Sequence, residues 1–318
     1  MKNKTPRLAQ GLPGLLLTGV SLLAFALLYA PIVVMVLFSF NAPRGRFNLV
    51  WQGFTLEYWR QPLRDPALTQ AFFTSLALAL AAALLAVLLG ALMALALARG
   101  RPRGSRAIEL LLALPLTNPE IVLAMALFQL FAGAGLPRGP LTLVLSHSLF
   151  CLSYAALTLK ARLAGFDPSL ELAAQDLGAP PLAAFVRVTL PLLAPGLLAA
   201  TLLSFSLSFD DYVISSFTAG ETVTLPLYLA GAFQREISPQ IQVLSTLVLL
   251  ASATLLLLAT TGGTADNGMN ALIWQRFPFL TAQAPLTVIA IVFNVWGERF
   301  LPSDRPPGRG RTRRTGSR

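Results

Sequence analysis

Six long apolar stretches with few charged residues dominate this chain and restrict what it can fold into. They cover residues 15–38, 71–98, 108–131, 141–159, 192–209 and 241–260. Each is close to or above the length of about 20 residues that a helix needs to cross the hydrocarbon core of a bilayer. None alternates polar and apolar residues as a membrane barrel strand does. Because 55% of all residues are hydrophobic and only 12% are charged, the sequence predicts an all-α, polytopic membrane protein with six transmembrane helices.

The N-terminal segment carries Lys2, Lys4 and Arg7 ahead of the first apolar stretch, as a secretory signal peptide would. Its apolar part is longer than the core of such a peptide, so we expect a retained first helix that starts in the cytoplasm. With six crossings, residues 99–106 and 160–191 are then also cytoplasmic. The cytoplasmic segments carry more Lys and Arg than the outside segments, in agreement with the positive-inside rule.

A short polar segment separates the fourth and fifth apolar stretches. Pro168 and Ser169 can start a helix, and residues 170–177 would then form two amphipathic turns. Gly178 permits a left-handed helix ending. We expect a second short helix from there to Pro191, so that the segment forms a compact cytoplasmic knob.

No motif for nucleotide binding or for the common catalytic centres is present. The sequence has no G-x-x-x-x-G-K-[ST], H-E-x-x-H, C-x-x-C or G-x-S-x-G pattern, so we expect no enzyme, no cofactor and no metal site. Cys151 is the single cysteine and forms no intrachain disulfide. His147 lies four residues earlier with no second His or Cys nearby, which favours a packed, hydrogen-bonded role over metal binding.

The C-terminal part of the chain differs in composition from the rest. Residues 280–296 are apolar but interrupted by Pro285, which favours an interfacial or re-entrant segment over a seventh span. Much of the net charge of +10 lies in the Pro-, Gly- and Arg-rich residues that follow, which we expect to be disordered. This tail can contact membrane lipid or remain solvated. Nucleic acid is not expected as a partner, because no aromatic residues are interleaved with the arginines.

The polar segment resembles the EAA loop of ABC-importer permeases. Ala173, Ala174 and Gly178, followed by Val188-x-Leu190-Pro191, fall at the spacing of that loop. Residues 51–58, 65–68, 114–120, 161–170 and 206–217 further resemble the second permease subunit of bacterial spermidine/putrescine ABC importers, within the type I import permeases. The resemblance implies a six-helix permease domain over residues 1–262, with its EAA-like loop at 165–191. Residues 263–318 would be an appended segment, since the family's subunit would end near Thr261.

The resemblance also implies the partners of the chain and its place in the cell. They are a dimer of ATP-binding ABC subunits, a second permease subunit and a periplasmic solute-binding protein, in the inner membrane of a bacterium. The ATPase would contact the EAA-like loop. The predicted coupling residues are Leu170, Glu171, Leu172, Ala173, Ala174, Gly178, Leu182 and Pro191.

One residue of the loop departs from the family's pattern. The glutamate that gives the EAA loop its name would fall at Leu172, and Glu171 stands one place earlier. One residue rotates a side chain by about 100° around a helix, so Glu171 does not occupy the same face. We therefore expect coupling to the ATPase to be weakened or rearranged.

Acidic residues at two places predict the path of the substrate. Glu120 follows a helix-breaking pair at residues 118–119 inside the third apolar stretch, and Asp210 and Asp211 end the fifth with Tyr212 next to them. Charged residues inside spans are costly and are functional candidates. Carboxylates beside aromatic rings attract an ammonium group by charge and by cation–π attraction. The predicted path residues are Glu120, Asp210, Asp211 and Tyr212.

Each of these predictions has a structural alternative. Glu120 can pair with backbone donors at the start of the continued helix, and the two aspartates can cap an outward helix. The outward segment 41–70 contains Trp51, Phe54, Tyr58 and Trp59, which either brace a binding protein or anchor the membrane interface as an aromatic belt.

Together these features predict a permease subunit that passes spermidine or putrescine. A type I importer permease for iron, phosphonate or thiamine is the first alternative, because it would keep the EAA-like loop without needing carboxylates in the path. A secondary transporter or a membrane-embedded enzyme would work without an ATPase. Inverted repeats of broken helices would support the secondary transporter, and the sequence has only one such break.

Overall fold

The computed structural model describes residues 11–45, 47–100, 104–167, 169–235 and 238–261. Its helices are, in chain order, α1 Gly11–Phe38, α2 Glu57–Arg60, α3 Pro66–Gly100, α4 Ser105–Thr117, α5 Glu120–Gly133, α6 Pro140–Ala164, α7 Ser169–Asp176, α8 Pro181–Ala184, α9 Leu190–Phe209, α10 Val213–Thr218, α11 Leu225–Arg235 and α12 Pro239–Thr261. Within these ranges there is no β-strand, only an isolated bridge between Asn41 and Phe54. The all-α prediction is confirmed.

The described residues up to Ala251 belong to one compact unit, and residues 252–261 are the end of α12 in a second unit. The predictions for the basic N-terminus, the apolar segment at 280–296 and the arginine-rich tail lie outside the described residues. The proposed division between residues 262 and 263 therefore stays a prediction.

Four helical stretches are long and apolar enough to cross a membrane. They are Thr18–Phe38 within α1, then α3, α6 and the continuous stretch Pro181–Phe209. They correspond to the first, second, fourth and fifth predicted spans, the first from residue 18 onwards. A helix satisfies all its backbone hydrogen bonds within itself, which is what an apolar segment needs in lipid. The prediction of a polytopic membrane protein is thus confirmed.

The third predicted span, residues 108–131, is not one straight helix. α4 and α5 meet at an angle of 111° across Asn118 and Pro119. Asn118 has an extended backbone, at φ −83° and ψ 147°, as expected for a residue before proline. Pro119 cannot donate a backbone hydrogen bond. The predicted break is therefore present, and it turns the single span into a bent pair.

The fifth span begins earlier than predicted. After Gly178, α8 continues through one π-helical turn, Phe185–Thr189, directly into α9. The expected separate short helix ending at Pro191 is therefore wrong. A proline inside a helix clashes with the carbonyl four residues before it, here that of Arg187. Arg187 lies within the wider π turn, which explains how the helix accommodates Pro191 without a break.

The sixth predicted span, residues 241–260, lies within α12. The part of α12 whose side chains are described, Pro239–Thr254, is shorter than a spanning helix. The described chain thus has four candidate spans, or five when the bent pair α4–α5 is counted as one. The sixth crossing stays a prediction.

Helices α3, α6 and α9 pack against one another through small side chains. A Cβ atom added to Gly90 of α3 would lie 2.9 Å from the backbone nitrogen of Ala156 in α6. The buried cluster that joins the three helices consists of Val87, Ala94, Ala155, Leu159, Leu193 and Ala200. Close approach at small residues is the usual way in which membrane helices associate, because lipid gives them no hydrophobic reason to do so.

The predicted outward segment is tied to other elements by buried polar contacts. Asn41 Nδ2 donates to Asn48 Oδ1 at 2.6 Å, and Asn48 in turn donates to Gln242 of α12. The Tyr228 hydroxyl of α11 donates to Asp65 Oδ2 at 2.5 Å, immediately before α3 begins. These bonds hold the loop between α1 and α3 on the same side of the protein as α11 and the start of α12.

Candidate functional site

Four ionisable side chains from distant parts of the sequence lie together at the break between α4 and α5. Glu120 is the first residue of α5, and its carboxylate lies near those of Asp211 and Asp210 and near His147. The ring nitrogen Nε2 of His147 lies 3.1 Å from Asp211 Oδ2. We call Glu120, His147, Asp210 and Asp211 the acid cluster. The structure thus brings together the carboxylates that the sequence predicted separately.

His147 is the centre of this arrangement and is only 3% exposed. Its Nδ1 lies 2.7 Å from the Ser208 hydroxyl of α9, and its Nε2 lies 3.1 Å from the Ser215 hydroxyl of α10. The predicted hydrogen-bonded role is confirmed. The proximity of His147 to the carboxylates was not predicted from the sequence. His147 is an ionisable residue in a predicted span, and this feature could have identified it as part of the site.

The two aspartates play different structural parts. Asp211 is buried, and its Oδ1 accepts a 3.1 Å hydrogen bond from the Ile214 backbone N–H, so it caps the start of α10. The other oxygen of Asp211 faces His147. Asp210 is the C-terminal cap residue of α9 and is exposed. The capping alternative therefore holds for Asp211, together with its place in the acid cluster.

Aromatic rings lie beside the acid cluster. Phe209 directly precedes Asp210, and its ring stacks on that of Phe205 with centroids 5.7 Å apart. Phe72 of α3 meets Phe209 edge to face at 6.1 Å. Tyr212 is 48% exposed and follows Asp211. Among the side chains that the structure describes, no group of His, Cys, Asp and Glu has the arrangement of a metal site.

The EAA-like loop begins and ends as its local sequence predicts. Asp167 Oδ1 accepts a 2.9 Å hydrogen bond from the Ser169 backbone N–H, where α7 starts. This hydrogen bond holds the pKa of the Asp167 carboxyl below its usual value, because it stabilises the ionised form. Gly178 has a φ of +88°, the left-handed conformation expected after the helix.

Four leucines of this loop are exposed. Leu170 is 48%, Leu172 59%, Leu177 90% and Leu182 75% exposed. We call these four residues the docking face. Ala173 is also exposed, whereas Ala174 is half-buried. Leu177 was not among the predicted coupling residues, although a leucine beside a helix-ending glycine in a polar loop is a signal that could have identified it.

Glu171 and Pro191 have different surroundings from the docking face. The Glu171 carboxylate forms an ion pair with Arg99 at the end of α3 and accepts a 2.7 Å hydrogen bond from the Thr189 hydroxyl. Pro191 is the second residue of α9. The side chain of Glu171 thus turns towards the helices of the protein, while the neighbouring Leu172 is turned to the outside.

Comparisons with known proteins agree with this architecture. Residues 86–301 match the family described as the binding-protein-dependent transport system inner membrane component. The putrescine transport system permease protein PotI of Escherichia coli K12 is 39% identical over 236 residues, which cover 72% of this chain and 83% of PotI. The spermidine/putrescine transport system permease protein PotC of Haemophilus influenzae is 37% identical over 236 residues, which cover 74% of this chain and 91% of PotC.

A solved structure shows the same fold. A bacterial ABC transporter involved in the import of the acidic polysaccharide alginate superposes with a TM-score of 0.56, at 17% sequence identity. The superposition covers 84% of this chain and all of the matched chain. The family and the relatives are transport permeases, which confirms that this chain is a permease and not an enzyme. The chain therefore belongs to the family of binding-protein-dependent transport system inner membrane components.

Proposed function

We propose that this chain is a permease subunit of a bacterial polyamine importer. It passes putrescine or spermidine across the inner membrane after a periplasmic binding protein delivers the substrate. A second permease subunit completes the path, and a dimer of ATPase subunits docks on the cytoplasmic side. The names of PotI and PotC support the substrate class, because both are polyamine permeases by name and are 39% and 37% identical to this chain.

The acid cluster is the observation that carries the proposal. A polyamine is a flexible chain of methylene groups with a positively charged ammonium at each end and, in spermidine, one between. A path for it needs carboxylates to balance the charge and apolar or aromatic walls for the methylenes. Glu120, Asp210 and Asp211 meet where the helix is broken, and the aromatic residues Phe209 and Tyr212 flank the two aspartates in the sequence. Such a group attracts a cation by charge and by cation–π attraction.

The arrangement also suits a cation that passes through the protein and is not bound tightly. Asp210 and Tyr212 are exposed in this chain, whereas Asp211 is buried against His147. An ammonium can therefore meet an accessible carboxylate first and approach the buried one next. Several weak contacts let a cation enter and leave, while one strong site would retain it.

Coupling to ATP is assigned to the docking face. Leu170 and Leu172 of α7, Leu177 beside Gly178 and Leu182 of α8 each expose an apolar side chain, in a segment that the charge pattern assigns to the cytoplasm. An ATPase dimer that binds this surface more tightly in one conformation shifts the permease towards that conformation, since only differential affinity moves an equilibrium. Alternating access of the acid cluster to the two sides follows from that shift.

The test is uptake of labelled putrescine and spermidine by a bacterium that lacks polyamine uptake and expresses this chain with its ATPase, second permease and binding protein. Glu120→Gln and Asp211→Asn remove one negative charge each with little change in shape. We expect uptake to need ATP hydrolysis and to fall about tenfold or more in both variants, as for the loss of a charge-assisted contact. Glu57→Gln is the matched control, because Glu57 is an exposed carboxylate paired with Arg64 outside the cluster.

Three outcomes separate the alternatives. Normal uptake by Glu120→Gln and Asp211→Asn would contradict a path through the acid cluster. A complex that assembles and hydrolyses ATP without taking up polyamines would indicate another solute, such as iron, phosphonate or thiamine. Polyamine uptake that continues without any ATPase would indicate a secondary transporter.

A further inference from the structure

Glu171 lies in the loop that is proposed to contact the ATPase, but its carboxylate is engaged inside this chain. Its Oε2 atom forms an ion pair with Arg99 Nη2 and accepts a 2.7 Å hydrogen bond from Thr189 Oγ1. Arg99 Nη2 also donates to Thr189 Oγ1 at 3.2 Å. The Glu171 side chain is 15% exposed and Thr189 is fully buried. The three polar groups therefore satisfy one another and leave the carboxylate little freedom to bind a partner.

These three residues come from three different elements. Glu171 is in the first turn of α7, Arg99 is in the last turn of α3, and Thr189 ends the π turn before α9. The Arg99 guanidinium also lies 5.5 Å from the ring centroid of Phe185, at the start of that turn. A charged group that contacts a carboxylate, a hydroxyl and a ring at once is held in place from several directions. α7 is thereby fixed to the end of α3 and to the π turn that leads into α9.

α3 connects this contact with the opposite side of the protein. The helix has 35 residues and is about 52 Å long. At its other end Leu68 packs in a buried cluster with Leu225 and Leu244, and the Ser75 hydroxyl accepts a 2.7 Å hydrogen bond from the Leu225 backbone N–H. A displacement of Arg99 therefore moves a helix whose far end is packed against α11 and α12.

We propose that Arg99, Glu171 and Thr189 form a coupling tether, through which movement of α7 is transmitted to α3. This inference rests on the proposed function, because it takes the ATPase as the partner that moves α7. The tether residues are positioning residues and do not touch the substrate. The ATPase then binds the leucines of the docking face, and its contact surface for this subunit does not depend on the Glu171 carboxylate. Leu172 stands where the EAA pattern has its glutamate, and the contact with the ATPase is rearranged because an exposed leucine replaces that carboxylate.

The experiment uses the complete importer, reconstituted in liposomes with its ATPase, second permease and binding protein. Three quantities are measured: the amount of ATPase that copurifies, the rate of ATP hydrolysis, and the number of putrescine molecules imported per ATP. The variants are Glu171→Gln, Thr189→Val and the double variant Arg99→Glu/Glu171→Arg. Glu109→Gln is the matched control, since Glu109 forms a 2.8 Å ion pair with Lys160 that joins α4 and α6 and includes none of the residues Arg99, Glu171 and Thr189.

We expect Glu171→Gln and Thr189→Val to retain ATPase binding and hydrolysis but to import about fivefold less putrescine per ATP, a change typical of lost coupling between sites. The double variant reverses the ion pair and should recover most of this ratio, and Glu109→Gln should keep it. A purely structural role would instead lower copurification, hydrolysis and import together.

Two results would overturn the tether. One is a loss of ATPase copurification in Glu171→Gln, which would place the carboxylate in the ATPase contact. The other is an unchanged ratio of import to hydrolysis in both single variants. A failure of the proposed function is distinct from these, because it would appear in the unmodified chain as the absence of any bound ATPase or any putrescine import.

Discussion

Replacing Gly90 with alanine should weaken the packing between α3 and α6. A Cβ atom at this position would lie 2.9 Å from the backbone nitrogen of Ala156 and 3.0 Å from the Cβ of Ala155. The nearest atom belongs to a helix backbone and cannot move aside as the end of a flexible side chain would. Relief therefore requires the two helices to separate.

The expected loss of stability of the Gly90→Ala chain follows from these distances. Carbon atoms are best separated by about 3.5–4.0 Å, so the helices must part by about 0.5–1 Å at this point. Overpacking of this kind costs about 1–3 kcal/mol. Alanine regains up to about 1 kcal/mol of helix propensity relative to glycine. We expect a net destabilisation of about 1–2 kcal/mol, and a fall in the melting midpoint of about 2–8 °C.

Thermal unfolding of the purified chain in detergent, followed by intrinsic fluorescence, measures this change. Gly19→Ala is the matched control, because Gly19 is also inside a long apolar helix, α1, and has no neighbouring atom within 4 Å of an added Cβ. We expect the control to keep its midpoint or to raise it. A Gly90→Ala chain that melts with or above the unmodified chain would refute the close approach of α3 and α6.

Three further predictions concern the loop and the acid cluster. Gly178→Ala should destabilise the loop by about 1–2 kcal/mol, because an L residue is strained at the positive φ of this position. This destabilisation is measured as faster amide hydrogen exchange over α7. The pKa of Asp167 is lowered by its hydrogen bond from the Ser169 N–H, so the carboxylate stabilises the start of α7 above its ordinary pKa of 3.8 and loses this effect as the pH falls through the lowered value. Asp167→Asn should therefore remove the pH dependence of the protection factors over α7, that is, of exchange rates relative to unstructured peptide at the same pH. His147→Ala should lower the melting midpoint, since each buried polar group left without a partner costs about 1–3 kcal/mol.

Each of these predictions has a control or a contrary result. Gly45→Ala should leave exchange unchanged, because Gly45 has open space around it and no positive φ. Protection factors over α7 that stay constant as the unmodified chain is acidified would contradict the role given to Asp167. A His147→Ala variant that melts like an exposed-site variant such as Ser216→Ala would show that the contacts of His147 add no stability.

The sequence predicted the helices better than the joints between them. Apolar length and composition located the spans because lipid requires a helix wherever the chain is apolar for long enough. Apolar length and composition do not determine the direction of a helix, so they could not predict the 111° angle between α4 and α5 at Asn118 and Pro119. The uninterrupted helix through Pro191 was missed because a proline normally ends or kinks a helix. The π turn that relieves it has no recognisable pattern in the sequence.

The candidate site was predictable in its residues and unpredictable in its contacts. Carboxylates in apolar stretches identified Glu120, Asp210 and Asp211, since such residues are costly without a purpose. Their meeting with His147 depends on how three helices pack, which a single sequence does not specify. The rotation of Glu171 away from Leu172 followed from helix geometry alone, whereas Arg99 as its partner is 72 positions away in the sequence.

The continuous helix from Pro181 to Phe209 requires a fixed number of residues between its two ends. It has 29 residues, with the EAA-like loop at one end and the acid cluster at the other. Its exposed positions, such as Leu198 and Leu202, would accept many substitutions, because one apolar side chain can replace another where nothing packs against it. It would not accept an insertion or a deletion, since even one residue would turn Ser208 away from His147. The number of residues between the two ends is therefore more constrained than their identity.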